Sequence, residues 1–359
     1  MTMKRRWLLL LCLILLSSAT PEPAWAASSP APTDATEKAV AAQRQNLYES
    51  MQTLTGVPWT YLAALDQYEK NSHPQKKKTA ASTLISIQVP PLVWTGINNP
   101  DPQDLIPASI SFFGGIGRDG NGDGKADPHD PVDVLYSIAS FLAAKGIKEE
   151  QIRERIWDYY HHPTAVDVIT HMARIYGKFQ TVQLHERSFP IPLQYNYTYH
   201  NTWGDRRGWG GLRLHEGTDI FADYGTPVLS TSYGYVELKG WNRYGGWRLG
   251  IRDIHNRYHY FAHLSSFRKG LKKGDIVKPG DVIGYVGSSG YGPPGTSGKF
   301  PPHLHYGLYK FNGRNTYSFD PYPLLKRWER EAYLKRKKSK RKRNRQVQAS
   351  SSSTMKWID

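Results

Sequence analysis

Cysteine is almost absent: among 359 residues there is one, Cys12. It lies in MTMKRRWLLLLCLILLSSATPEPAWA, where Lys4, Arg5 and Arg6 precede the apolar run Leu8–Leu16 and Ala24-Trp25-Ala26 offers a small-x-small cleavage pattern. Residues 1–26 therefore read as a secretory signal peptide. Leu11 before Cys12 does not suit a lipoprotein cleavage site. The exported chain would then hold no cysteine, which excludes disulfides and thiolate metal ligands. Any transition-metal site must be built from histidine and carboxylate, and the core must be held by packing alone. Long apolar runs are also missing after residue 16. No stable membrane span is expected once the signal is cleaved, an uncleaved anchor being the alternative.

Acidic residues are scarce too, with 31 Asp and Glu against 47 Lys and Arg, a net charge of +16. The excess is concentrated in residues 326–345, which hold twelve Lys and Arg against two Glu. Such a run favours a polyanion or is a solvated tail without a dedicated partner. Outside a cell the polyanion is an anionic wall polymer or a lipid surface. Nucleic-acid binding rests on this tail alone and conflicts with export.

The chain reads as multidomain α + β. Residues 27–43 are small and polar, a linker. Residues 44–177 carry apolar residues at three- and four-residue intervals, a mostly helical domain, with His161-His162 before a proline as a helix end. From 178 to 325 Gly, Tyr and Trp become dense and short strands alternate with turns, an all-β domain. Residues 326–359, basic and then low in complexity, are expected to be disordered.

Two histidines, His303 and His305, flank Leu304 in PPHLHYGLY. On a strand they share one face while Leu304 points to the other. Upstream, RLHEGTDIF places His215 and Asp219 four apart, with Gly217 allowing a bend that brings imidazole and carboxylate together. With one histidine of the HLH pair this makes two nitrogens and one oxygen, a catalytic zinc pattern that leaves one position open. The other HLH histidine, and His263 at the end of YHYFAHLSS, are candidates for proton transfer and oxyanion support. His255 and His259 read as structural.

HEGTD, YFAHL and HLH, in this order, resemble the M23 (lysostaphin/LytM-type) zinc metallopeptidases. NTWGDRR, YGTPV, YGG, VKPGDVIGYVGSSG and FPPHLH match as well. The resemblance implies an antiparallel β-domain with a groove over its sheet. It implies that His215, Asp219 and His305 bind one Zn2+, and that His303 and His263 are catalytic. The implied reaction is hydrolysis of peptide bonds in peptidoglycan, in the cell wall or spore envelope. More narrowly, the arrangement resembles the sporulation-associated L-Ala–D-Glu endopeptidases.

Two further features lie in the helical region. In DGNGDGKADPHD, residues Asp119, Asn121, Asp123, Asp127 and Asp130 fall on EF-hand ligand positions, with the Lys125 carbonyl at the seventh. The spacing predicts a structural Ca2+, although Asp130 stands where a bidentate Glu is usual. The surrounding stretch resembles lysozyme/transglycosylase-like domains, in which a glutamate cuts glycan. Glu69 stands near that place, but Lys70 occupies a position the family gives to serine. The domain is therefore expected to bind glycan rather than cleave it. Two alternatives to a peptidase follow: a bifunctional hydrolase that also uses Glu69, and a non-catalytic wall-binding scaffold.

Overall fold

The computed structural model describes residues 34–72, 84–208 and 211–354. The expected signal peptide and the first part of the expected linker lie outside the described residues. Helices come first: α1 (Asp34–Thr55), α2 (Trp59–Ser72), α3 (Pro91–Thr95), α4 (Pro107–Phe112), α5 (Pro131–Ala143), α6 (Glu149–Tyr160) and α7 (Pro163–Phe179). Strands follow: β1 (Tyr197–Tyr199), β2 (Arg206–Arg207), β3 (Arg213–Leu214), β4 (Thr218–Ala222), β5 (Pro227–Leu229) and β6 (Gly234–Asn242). The remainder are β7 (Gly246–Asp253), β8 (Arg257–Phe267), β9 (Ile276–Val277), β10 (Val282–Val286), β11 (His303–Phe311) and β12 (Thr316–Phe319), before α8 (Tyr322–Thr354) closes the described chain.

The helix ends follow local chemistry. Asp130 accepts from the amides of Val132 and Asp133 ahead of Pro131, an N-cap followed by a proline at the first helical position. His161 ends α6 in the left-handed conformation, and the His162 Nδ1 accepts from the Thr164 amide to start α7. The pair is a helix end, as the following proline indicates. Along α7, Val166, Ile169, Met172, Ala173 and Tyr176 are buried at helical spacing.

The strands form an antiparallel sheet in the order β1-β4-β11-β8-β7-β6-β9, with β10 joining β8 to β5 and β12 flanking β11. Its core holds Ile220, Leu249, Phe261, Leu304 and Leu308. The helical layer is packed onto this sheet. Tyr235, Ile254 and Phe311 belong to the same apolar cluster as the helices, His171 stacks on Tyr235 at 3.9 Å, and Arg174 donates to the Tyr235 hydroxyl at 2.9 Å.

Two expectations require correction. The segment 27–43 is helical from Asp34 onward, because a stretch of alanine and glutamine extends the helix anchored by buried Tyr48 and Met51. The basic tail is helical through Thr354 rather than disordered. Its charge conceals an anchor: Leu325 and Trp328 are buried in the sheet's core, and Glu329 accepts from the hydroxyls of Tyr197 and Tyr199 at 2.6 and 2.7 Å. Lys and Arg, good helix formers, then carry the helix outward.

Candidate active site

The central strand β11 brings the site together. His303 and His305 share its outer face, and Leu304 is fully buried beneath. Antiparallel pairing sets His305 opposite Asp219 on β4 and opposite Ala262 on β8. Directly opposed residues share a face, so the Asp219 carboxylate stands beside the His305 ring. His215 enters from the turn between β3 and β4. Its Nε2 lies 2.8 Å from the His305 Nδ1 and 3.1 Å from the Asp219 Oδ1, which is itself 3.1 Å from the His305 Nδ1. Among the described residues these are the three His, Cys, Asp or Glu side chains whose donor atoms gather within 4.8 Å of one another.

The donor set fits zinc. Bonds of about 2.0–2.2 Å in a tetrahedron place ligand atoms roughly 3.3 Å apart, a slight opening of what is seen. The His215 Nδ1–H donates to the Thr202 carbonyl at 2.7 Å, which fixes the tautomer and leaves the Nε2 lone pair aimed at the trio. Thr202 also accepts from the Asp219 amide through its hydroxyl at 3.0 Å. The second Asp219 oxygen accepts from Arg207 at 2.6 Å. Burial alone would push the Asp219 carboxyl up; hydrogen bonds to His215 and His305 outweigh it and hold the group far below the usual carboxylate range. Burial pushes the His303, His305 and His263 imidazoles down, so that each is neutral near pH 7.

Gly217 acts differently from the bend expected of it. Its φ is not in the left-handed region. A Cβ there would lie 2.6 Å from the His305 Cε1 and 2.7 Å from the Tyr306 carbonyl oxygen. The glycine makes room for the His305 ring. Gly217→Ala is therefore expected to displace that ring and weaken zinc affinity about 10–100-fold, the usual cost of disturbing a ligand's support. Metal-buffered titration of the folded variant measures it.

His303 and His263 complete the outer rim. The His303 Nδ1–H donates to the Pro301 carbonyl at 2.8 Å, and its Nε2 stands 3.8 Å from the Asp219 Oδ1. The His263 Nδ1–H donates to the Ser289 carbonyl at 2.7 Å. The two rings are 4.8 Å apart. His263 has φ 62, a left-handed conformation that costs a non-glycine residue about 1–3 kcal/mol. Strict alternation along β8 would send its side chain to the core with Phe261; the unusual backbone turns it into the groove. That groove has a volume of about 1080 Å³ and runs over the sheet, with His215, Asp219, His263, His303 and His305 in its wall.

Thr202, Arg207, Ser289 and Pro301 were missed as functional residues in the sequence. Each belongs to a segment quoted for the resemblance, NTWGDRR, VKPGDVIGYVGSSG or FPPHLH, but three of them act through a backbone carbonyl, which no side-chain type reveals. His259 is structural as expected: fully buried, it lies 2.8 Å from the Thr231 hydroxyl and 3.3 Å from the Asp253 carboxylate.

The calcium reading does not find a convergent ligand set. Asp119 accepts from the amides of Gly122 and Gly124, Asn121 from Asp123, Asp123 from Lys125, and Asp127 from His129, all between 2.7 and 2.9 Å. Asp130 caps α5. The loop is held from inside by Asp133, fully buried and accepting from the amides of Gly120, Asn121 and Asp127. The carboxylates bond their own backbone and do not gather around a common point. Glu69 is also engaged: it is 7% exposed and accepts from the Tyr160 hydroxyl. The cavity beside Tyr160 is small, about 10 Å³, and its lining of leucine, isoleucine, Phe141 and tyrosine does not include Glu69.

Comparison with known proteins bears on the same residues. The pattern described as peptidase family M23 matches residues 213–321. An L-Ala–D-Glu endopeptidase of Bacillus subtilis (strain 168) is 54% identical over 299 residues, which is 83% of this chain and 92% of the relative. Lysostaphin of Staphylococcus simulans is 36% identical over 117 residues, 32% of this chain and 22% of that one. The solved catalytic domain of lysostaphin from the same organism is 32% identical, covers 37% of this chain and 93% of its own, and superposes with a TM-score of 0.30. No described helix is long and apolar enough to cross a membrane. Because the 299 matched residues extend well beyond the sheet into the helical layer, the chain as a whole, a metallo-endopeptidase, belongs to peptidase family M23.

Proposed function

We propose that this protein is a secreted zinc endopeptidase of peptidoglycan that cuts the L-Ala–D-Glu bond of stem peptides, in the wall or spore envelope. The observation that carries the reading is the 54% identity to an L-Ala–D-Glu endopeptidase through 92% of that relative's length. The trio His215, Asp219 and His305, open to a groove on its fourth side, supports it. When bound, zinc polarises the scissile carbonyl and lowers the pKa of the attacking water.

The chain's own residues do the rest. Thr202 orients His215, and Arg207 holds one Asp219 oxygen so that the other faces the trio. The neutral Nε2 of His303 takes a proton from the attacking water and returns it to the leaving amine. The Nε2 of His263, whose Nδ1–H is held by Ser289, is likewise an acceptor and helps His303 orient the attacking water. The basic face of α8 holds the enzyme near anionic wall polymers.

Single activity is favoured over a bifunctional hydrolase because Glu69 is buried and bonded to Tyr160. Mass spectrometry of fragments released from defined muropeptides tests both points. The expected products are a glycan-linked L-Ala and a peptide that begins with D-Glu; cleavage only at another bond overturns the reading. On purified wall, Glu69→Gln is expected to leave the number of anhydro-muramyl ends unchanged, and Glu69-dependent ends would restore glycan cleavage.

A further inference from the structure

The groove carries more positive charge than its zinc chemistry uses. Four arginines line it: Arg207, Arg213, Arg248 and Arg252. Two are neutralised within the protein, Arg207 by Asp219 at 2.6 Å and Arg252 by Glu237 at 3.0 Å. Glu216, the acidic lining residue besides Asp219, is bonded to the Tyr309 and Ser318 hydroxyls at 3.1 Å each. Arg213 and Arg248 have no carboxylate partner among the described residues, and the Nε of each is buried without an acceptor. An uncompensated guanidinium in a partly buried groove is costly unless something brought in from outside supplies the anion.

Both cations line the same groove as the zinc trio. Arg213 precedes the ligand His215 by two residues, and its guanidinium lies 5.2 Å over the Tyr244 ring. Arg248 and Tyr260 line the groove together, and the Tyr260 ring packs edge-on against His305 at 5.8 Å. Tyr260 has little freedom, since a Cβ on Gly245 would lie 2.4 Å from its hydroxyl. Arg248 thus stands in the lining of the same groove as a zinc ligand, His305.

The substrate named above has a matching group. A glutamyl residue joined to alanine through its nitrogen, and to the rest of the peptide through one carboxyl, keeps its other carboxyl free. We propose that Arg213 and Arg248 form a carboxylate subsite that selects an acidic residue on the amine side of the scissile bond. This rests on the reading that L-Ala–D-Glu is the bond cut. A planar fork of donors binds a carboxylate in two directions at once and so fixes its orientation as well as its charge.

The test compares two stem peptides that differ at one atom position: one with the free glutamyl carboxylate, the other with that group as the carboxamide. The wild type is expected to show a kcat/KM roughly 10–100-fold higher on the carboxylate peptide, as for charge-assisted recognition in a partly desolvated site. Arg248→Ala and Arg213→Ala should each lower that ratio toward one, with zinc content unchanged, and Arg248→Lys should restore part of it. The ratio is internal to each variant, so partial misfolding does not move it. A wild type that cuts both peptides equally, or variants that keep the wild-type ratio, overturn the subsite while leaving the L-Ala–D-Glu assignment intact. A wild type that cuts neither peptide at this bond removes that assignment and the subsite with it.

Discussion

Replacing His215, Asp219 or His305 by alanine is expected to yield a folded protein without tightly bound zinc and with peptidase activity lower by about 10³-fold or more. Removing the ion forfeits several kcal/mol of charge stabilisation, and each 1.36 kcal/mol is a factor of ten. The fold should survive because the trio lies on the groove face, while Leu304, Phe261 and Ile220 pack on the other. Asp219→Ala should be the most disruptive of the three. It leaves Arg207 without its ion-pair partner and removes the carboxylate that stands 3.1 Å from both His215 and His305. Metal analysis and circular dichroism on the same preparations separate loss of the ion from loss of structure. An alanine variant that retained stoichiometric zinc and full activity would remove that residue from the ligand set.

His303→Ala and His263→Ala should behave differently: zinc retained, kcat lowered by about 10²–10⁴-fold, KM little changed. The two side chains line the groove at the edge of the closely spaced trio; the His303 Nε2 stands 3.8 Å from the Asp219 Oδ1. His263→Ala carries an added reason for interest, because the left-handed backbone at this position disfavours any residue with a side chain. His263→Gly is therefore expected to be as stable as, or more stable than, His263→Ala by about 1 kcal/mol, while both are equally inactive. Thermal unfolding and zinc content, read with steady-state kinetics on one muropeptide, test the whole set. Loss of zinc in either variant would place that histidine among the ligands.

Much of the site was legible. The HxH spacing alone put His303 and His305 on one face and Leu304 in the core, because side chains along a strand alternate with a period of two whatever the fold. The His215–Asp219 spacing and the order of the motifs indicated which residues meet. The role of Gly217 was not legible, since it depends on the ring of His305, far along the chain in β11. The arrangement of the expected calcium loop was not legible either, for a related reason. Spacing shows which carboxylates are available, but not that they accept from backbone amides of their own loop while the buried Asp133 accepts from others and holds the loop from inside. Disorder of the basic tail was inferred from charge, and that inference overlooked that two apolar residues, Leu325 and Trp328, suffice to seat the start of a helix in a core.

Composition and local order in the chain thus specified the chemistry available: a single cysteine placed in the expected signal peptide, a histidine and carboxylate metal set, and the face of β11 on which two imidazoles stand. Long-range packing specified how that chemistry is arranged. The β4–β11 register sets Asp219 against His305, the left-handed turn at His263 reverses the alternation of β8, and strands far apart in the chain bring Arg213 and Arg248 into one groove. A period of two is a property of each strand's own covalent geometry, whereas register, bulges and side-chain neighbours arise from contacts between residues far apart in the chain.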